Sequence, residues 1–229
     1  MAGPVVDSVT NGQQNTSTGL SVSFNNVAGD YLYVWVWDEW GGFAAINYVK
    51  YAGVALTKLL QKTLDGQRMY SLWGLASPAT GSNTLEASRP SGIGFFAFCG
   101  LTLSGADPAG YEAINFNLAG TSSNTTTVSV TSVTANAIVV GGTGTAVGTV
   151  STSAPATQRA LVGTATALST TPTTSAGSQS ITWTQTGSWS WVSIAVAHAG
   201  SAPTTTAASQ QHVDAGLVDS GVISKGLVQ

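Results

Sequence analysis

Few side chains in this sequence are suited to chemistry. There are two histidines, His198 and His212, one cysteine, Cys99, and ten carboxylates in 229 residues. A metal site or a catalytic dyad needs a histidine with a second ligand or an acid at suitable spacing, and neither histidine has one. Both read as ordinary surface or edge histidines. Asp38-Glu39 lies between Trp37 and Trp40 and reads as a loop pair that could hold calcium or flank a sugar. No Asp-x-Asp-x-Asp spacing accompanies it to support calcium. Carboxylate pairs that cleave glycosides are distant in sequence, so spacing neither identifies one nor eliminates it. The serines are many, but no Gly-x-Ser-x-Gly elbow comes with a usable histidine. Cys99 ends the apolar run Phe95-Phe96-Ala97-Phe98-Cys99 and reads as a small buried hydrophobe. Being alone, it forms no intrachain disulfide. The expectation is a non-enzymatic protein with no catalytic, metal or cofactor residue.

Tryptophan offers a different chemistry, stacking on sugar rings. Trp35, Trp37, Trp73, Trp183, Trp189 and Trp191 fall on strand patterns and are expected in the core, where an indole buries most area. Trp40, beside Gly41-Gly42, is the candidate for an exposed glycan platform.

The elements that must position these residues are strands. Leu20, Val22 and Phe24 alternate with polar residues on one face. Tyr31 to Trp37 is apolar on both faces, with Tyr31, Tyr33, Trp35 and Trp37 one way and Leu32, Val34 and Val36 the other. Such a strand is expected to be central and covered on both sides. Tyr48 to Leu60 reads as a hairpin turning at Ala52-Gly53. Strands are also expected at 68–75, 84–87, 93–103, 125–131, 137–140, 160–167, 180–185 and 189–197. In the last, Val192, Ile194 and Val196 form an aliphatic face opposite Trp191, Ser193 and Ala195. Turn spacing predicts roughly ten to thirteen strands and no helix of ordinary length.

Composition narrows the function classes. Only 7% of residues are Asp, Glu, Lys or Arg, against roughly 25% in ordinary soluble domains. From Ala113 to Val213 the one charged residue is Arg159. The seven Lys and Arg are scattered and the formal net charge is −3, so neither nucleic-acid phosphates nor an anionic membrane is an expected partner. A weakly charged β-surface lacks the repulsion that keeps sheet edges apart, which suits a surface buried in an assembly. The start Met-Ala-Gly-Pro-Val-Val-Asp has no signal-peptide pattern, and no apolar stretch spans a bilayer. The lone cysteine favours assembly in a reducing cytosol. Together these features fit a virion protein made in the host cytosol.

Residues 1–200 are expected to form one β-sandwich domain, and 201–229 a linker and C-terminal arm. Residues 201–210 have linker composition. Leu217, Val218, Val222, Ile223, Leu227 and Val228 then recur between Gly216, Gly221 and Gly226. Too few to form a core, they are expected to be the assembly contact, docking on a neighbouring subunit.

One stretch is familiar. Tyr51-Ala52-Gly53-Val54-Ala55-Leu56-Thr57-Lys58 is followed by Leu72-Trp73-Gly74-Leu75 and then Pro78-Ala79-Thr80-Gly81. This resembles a β-sandwich family of bacteriophage virion structural proteins and bacterial surface proteins. Members read Tyr-Gly-Gly-Val-x-Leu-Thr-Lys, Leu-Trp-Tyr-Leu and Pro-x-x-Gly. Ala52 departs from the family glycine, which implies a slightly different turn. The resemblance covers roughly residues 5–105 and carries fold and setting but no functional residues. It implies a jelly-roll-like antiparallel sandwich in a virion. The first functional reading is a capsid decoration or cement protein, homo-oligomeric and bound to other virion proteins such as the major capsid protein. The alternative is a tail or surface adhesin that binds host glycans through exposed aromatics.

Overall fold

The computed structural model describes residues 3–201, apart from 40–45, 65, 67, 91–93, 120–122, 133, 146–147, 164–165 and 188–190. The fold is all-β and antiparallel, with no helix among the described residues. The first half contains β1 (Val5–Gln14), β2 (Gly19–Asn26), β3 (Tyr31–Glu39), β4 (Tyr48–Tyr51), β5 (Val54–Ala55), β6 (Thr57–Leu64), β7 (Arg68–Ala76), β8 (Gly81–Ser88) and β9 (Phe96–Ser104). The second contains β10 (Ala106–Ala119), β11 (Thr125–Ser132), β12 (Ile138–Gly144), β13 (Val150–Thr152), β14 (Thr157–Val162), β15 (Thr166–Pro172), β16 (Gly177–Gln185) and β17 (Trp191–Gly200). These 17 strands among the described residues exceed the ten to thirteen expected. The excess comes from polar edge strands such as β1, from short β13, and from the 160–167 pattern, which is two strands separated at Gly163.

The strands form four sheets. Sheet A has the order β1-β9-β3-β7-β6 and sheet B the order β2-β8-β4-β5. Sheet C runs β10-β17-β12-β15-β14 and sheet D runs β11-β16-β13. The second half repeats the first strand for strand, with β10 in the place of β1, β12 of β3 and β17 of β9; β5 alone has no counterpart. Even an irregularity recurs. The pairing of β6 with β7 shifts register between Lys58 and Leu60, and that of β14 with β15 shifts between Gln158 and Ala160.

Three apolar layers stack between the sheets in the order B, A, C, D. Leu32, Val34 and Val36 of β3 pack with Val49, Tyr51 and Leu85 between A and B. Tyr33, Trp35 and Trp37 turn the other way and pack with Val140, Val192, Ile194 and Val196 between A and C. Val128, Ile181, Trp183 and Trp191 fill the space between C and D. β3 is therefore central and covered on both faces, as its sequence predicts, because aromatic and β-branched side chains suit a doubly covered pleat.

The Tyr48 hairpin turns at Ala52-Gly53, with φ of 50° and 79°. Two positive φ values are the mark of a type I′ turn, so Ala52 occupies a conformation that glycine adopts more cheaply. The hairpin partner ends at Ala55 rather than continuing to Leu60. After Leu56 the chain leaves sheet B and joins sheet A as β6.

Candidate functional site

The residues singled out for chemistry are mostly committed to packing. His198 is not the surface or edge histidine expected. It lies on β17, fully buried, facing β3 across the A–C layer. Its Nδ1 is 2.5 Å from Tyr33 Oη and its Nε2 is 2.8 Å from the Asp107 carbonyl oxygen. A carbonyl only accepts, so Nε2 carries the proton and Nδ1 accepts from the Tyr33 hydroxyl. The Tyr31 ring lies 4.5 Å from the imidazole. Burial pulls the His198 pKa below its usual value, although its bond to Asp107 and the charges of Asp107 and Glu112 oppose this. Burial also pushes the Tyr33 hydroxyl well up. The group is a neutral hydrogen-bonded pair locked between two sheets.

Asp38-Glu39 is likewise not a loop pair. Both residues end β3, and Asp38 is buried against Arg89, with Nη1 2.6 Å from Oδ1. Burial raises the Asp38 pKa, and the hydrogen bond and charge of Arg89 offset part of that rise. Arg89 also donates to the carbonyls of Ser17 and Gly94 at 3.1 and 2.7 Å. This ties the β1–β2 turn to the approach to β9, and sequence spacing gave no sign of it. Cys99 is buried on β9, with its pKa raised by desolvation. Trp35, Trp37, Trp73, Trp183 and Trp191 are buried as expected. Trp40, Trp189, His212 and the arm residues Leu217, Val218, Val222, Ile223, Leu227 and Val228 lie outside the described residues. Among the described residues, no group of three or more His, Cys, Asp or Glu is placed to hold a metal ion.

The accessible features gather at the end of the molecule where the chain leaves β17. One open cleft of about 420 Å³ is lined by Asp107, Gly110, Tyr111, Glu112, Thr134 and Gly200. A second, of about 340 Å³, lies on the seam between the halves. Its walls are Pro4 just ahead of β1, Val5 and Val6 from the start of that strand, Ile138 from β12, Pro172 from β15, and Arg159 from β14. Arg159 is the extra residue of the β14 bulge, lying between Gln158, paired with Ser169, and Ala160, paired with Leu168. A bulge re-aims a side chain that regular pleating would send elsewhere. Its counterpart in β6 is Leu59, which packs against the A–C core. The Arg159 Nε donates to Thr170 Oγ1 at 2.8 Å, which fixes the guanidinium at the cleft. Sequence reading noticed Arg159 only as an isolated charge, because the bulge and its neighbours come from pairing between strands.

The outer face of sheet D carries hydroxyls in place of charge. Thr127 meets Thr182 at 2.9 Å, Ser129 meets Ser180 at 2.7 Å, and Ser151 meets Thr184 at 2.7 Å. Sheet B has one such pair, Ser23 with Ser82 at 2.9 Å. Cross-strand hydroxyl pairs of this kind stabilise a sheet modestly and present a neutral surface.

No known family model matches the chain, and no curated protein or solved structure matches it either.

Proposed function

We propose that this protein is a non-enzymatic structural component of a bacteriophage virion, a capsid decoration or cement protein that assembles as a homo-oligomer on the major capsid protein. The observation that carries this reading is the neutral outer face of sheet D, one side of a deeply cross-packed slab. Hydroxyl ladders cover sheet D where charges would ordinarily stand, so little electrostatic repulsion opposes contact with copies of itself or with a capsid. The titratable groups that suggest chemistry instead hold the slab together, His198 with Tyr33 and Asp38 with Arg89. The resemblance of residues 5–105 to virion sandwiches points the same way. Within this reading each half is a jelly roll. The order β1-β9-β3-β7 opposite β2-β8-β4-β5, repeated as β10-β17-β12-β15 opposite β11-β16-β13, supports that assignment.

Assembly runs through the C-terminal arm in this account. The test is deletion of residues 211–229. Residues 201–210 have linker composition, so the melting temperature is expected to stay within a few degrees of the full chain. Oligomerisation in solution and incorporation into particles are expected to fall. A truncated protein that assembles and incorporates like the full chain would remove the arm's role.

A further inference from the structure

The seam cleft and the arm are chemically matched. Five of the cleft's six lining residues are apolar, and the sixth is the cation Arg159. No acid contributes to this wall, and the half of the chain that carries Arg159 holds no other charge from Ala113 to Val213. Thr170 Oγ1 accepts from Nε, and the terminal nitrogens of a guanidinium form a planar fork suited to a carboxylate. The cleft also lies between two strand edges. β1 pairs only with β9, and β14 pairs only with β15 among the described residues.

The arm supplies what this lining would take. It carries three aliphatic pairs, Leu217-Val218, Val222-Ile223 and Leu227-Val228. Only the first is followed directly by an acid, Asp219; the second is followed by Ser224-Lys225. The point of departure suits it too. The Ser201 amide donates to the Gly105 carbonyl at 2.8 Å, and a Cβ on Gly105 would lie 4.0 Å from the Pro4 Cα. The arm thus starts beside the cleft's own wall. The ten residues 201–210 reach at most about 33–36 Å, enough to cross to the equivalent cleft of an adjacent molecule.

We propose that the seam cleft is the receptor for the arm of a second copy of this chain, with Leu217 and Val218 against Pro4, Val6, Ile138 and Pro172, and the Asp219 carboxylate on the Arg159 guanidinium. This rests on the assembly reading above and names its contact. Exchange of arms between copies makes the interface reciprocal, as two-fold association requires.

Sedimentation equilibrium of the full-length chain tests it, using wild type, Arg159→Glu, Asp219→Arg, the double variant, and an equimolar mixture of the two single variants. Each single variant sets like charges against each other and is expected to weaken self-association at least tenfold. The double variant and the mixture are both expected to recover association. Circular dichroism and the melting temperature of both single variants check that a loss of association reads contact rather than folding. A wild type that is monomeric at every concentration overturns the assembly reading and this contact with it. A wild type that associates, with single variants that associate equally well, overturns the cleft assignment alone. Recovery in the double variant but not in the mixture would place the arm in its own molecule's cleft and overturn the exchange.

Discussion

His198 shows how a residue of little promise in sequence becomes a determinant of stability. The imidazole is buried and neutral, held by Tyr33 on one nitrogen and the Asp107 carbonyl on the other. Burial holds its pKa below the usual value of 6.5. In the unfolded chain the same ring protonates near pH 6.5. Below that pH the unfolded state binds the proton and the folded state does not, so folding stability declines as pH falls from about 6.5 toward the depressed pKa. The slope is at most about 1.4 kcal/mol per pH unit from this one group. Urea denaturation across pH 7 to 5 is expected to show that decline. In His198→Gln, a side chain that does not titrate, the baseline stability is expected to be lower and this part of the pH dependence absent. An unchanged slope in the variant would mean His198 is not the responsible group.

At the scale of the element, β12 decides how closely sheets A and C approach. Glycine inside a strand usually weakens it and marks a close approach of other groups. Here Gly141 faces Trp183 and Gly142 lies directly beneath the Trp35 indole, where a Cβ would come within 2.3 Å of a ring carbon. Gly144 meets Tyr70 and Trp37 in the same way, at 3.1 and 3.4 Å. The large rings of β3 and the missing side chains of β12 are two halves of one packing solution. Gly142→Ala is therefore expected to destabilise the fold by about 1–3 kcal/mol through overpacking. Gly19→Ala, where nothing lies within 4 Å of the added carbon, is the control and is expected to change little. Equal melting temperatures for the two variants would show that the indole can move aside. The sequence pattern carried β12 only to Val140, because Gly141-Gly142 read as a terminator. It missed β10 for a related reason, since Pro108 and Gly110 interrupt a strand whose pairing with β17 is itself irregular.

At the scale of the molecule, the repeated topology would allow two independent domains, but the distribution of apolar surface argues against independence. The A–C layer contains more buried side chains than either outer layer, including Trp35, Trp37, Tyr33 and Tyr70 from one half and Val140, Leu168, Val192 and Ile194 from the other. Fully burying each such side chain contributes about 1.5–3 kcal/mol, so separating the halves would expose surface that neither could keep in water. Lys62 adds a contact across the seam, with its ammonium 3.6 Å from the centre of the Phe116 ring. Calorimetry of the full chain is expected to give one unfolding transition, with van't Hoff and calorimetric enthalpies in agreement. Two resolved transitions would show that the halves fold separately.

The sequence by itself determined the fold class and the faces of its best strands. Low charge, abundant Ser and Thr, and period-two alternation leave sheets as the way to bury this chain's apolar side chains. For β3 and β17 the alternation also told which side chains travel together: the aromatics of β3 one way and its aliphatics the other, with Val192, Ile194 and Val196 on a face of their own. Such patterns are legible because side-chain direction in a strand is a local property of the backbone. Tertiary structure alone decided what each face meets. That the aromatic face of β3 covers a second sandwich with the same strand order, that Arg89 neutralises Asp38, that His198 bonds to Tyr33 and that a bulge presents Arg159 at the seam all depend on residues far apart in the chain. Separations of 51 residues for Asp38 and Arg89 and 165 for Tyr33 and His198 leave no periodic trace, because nothing in the intervening chain must repeat for two distant strands to become neighbours.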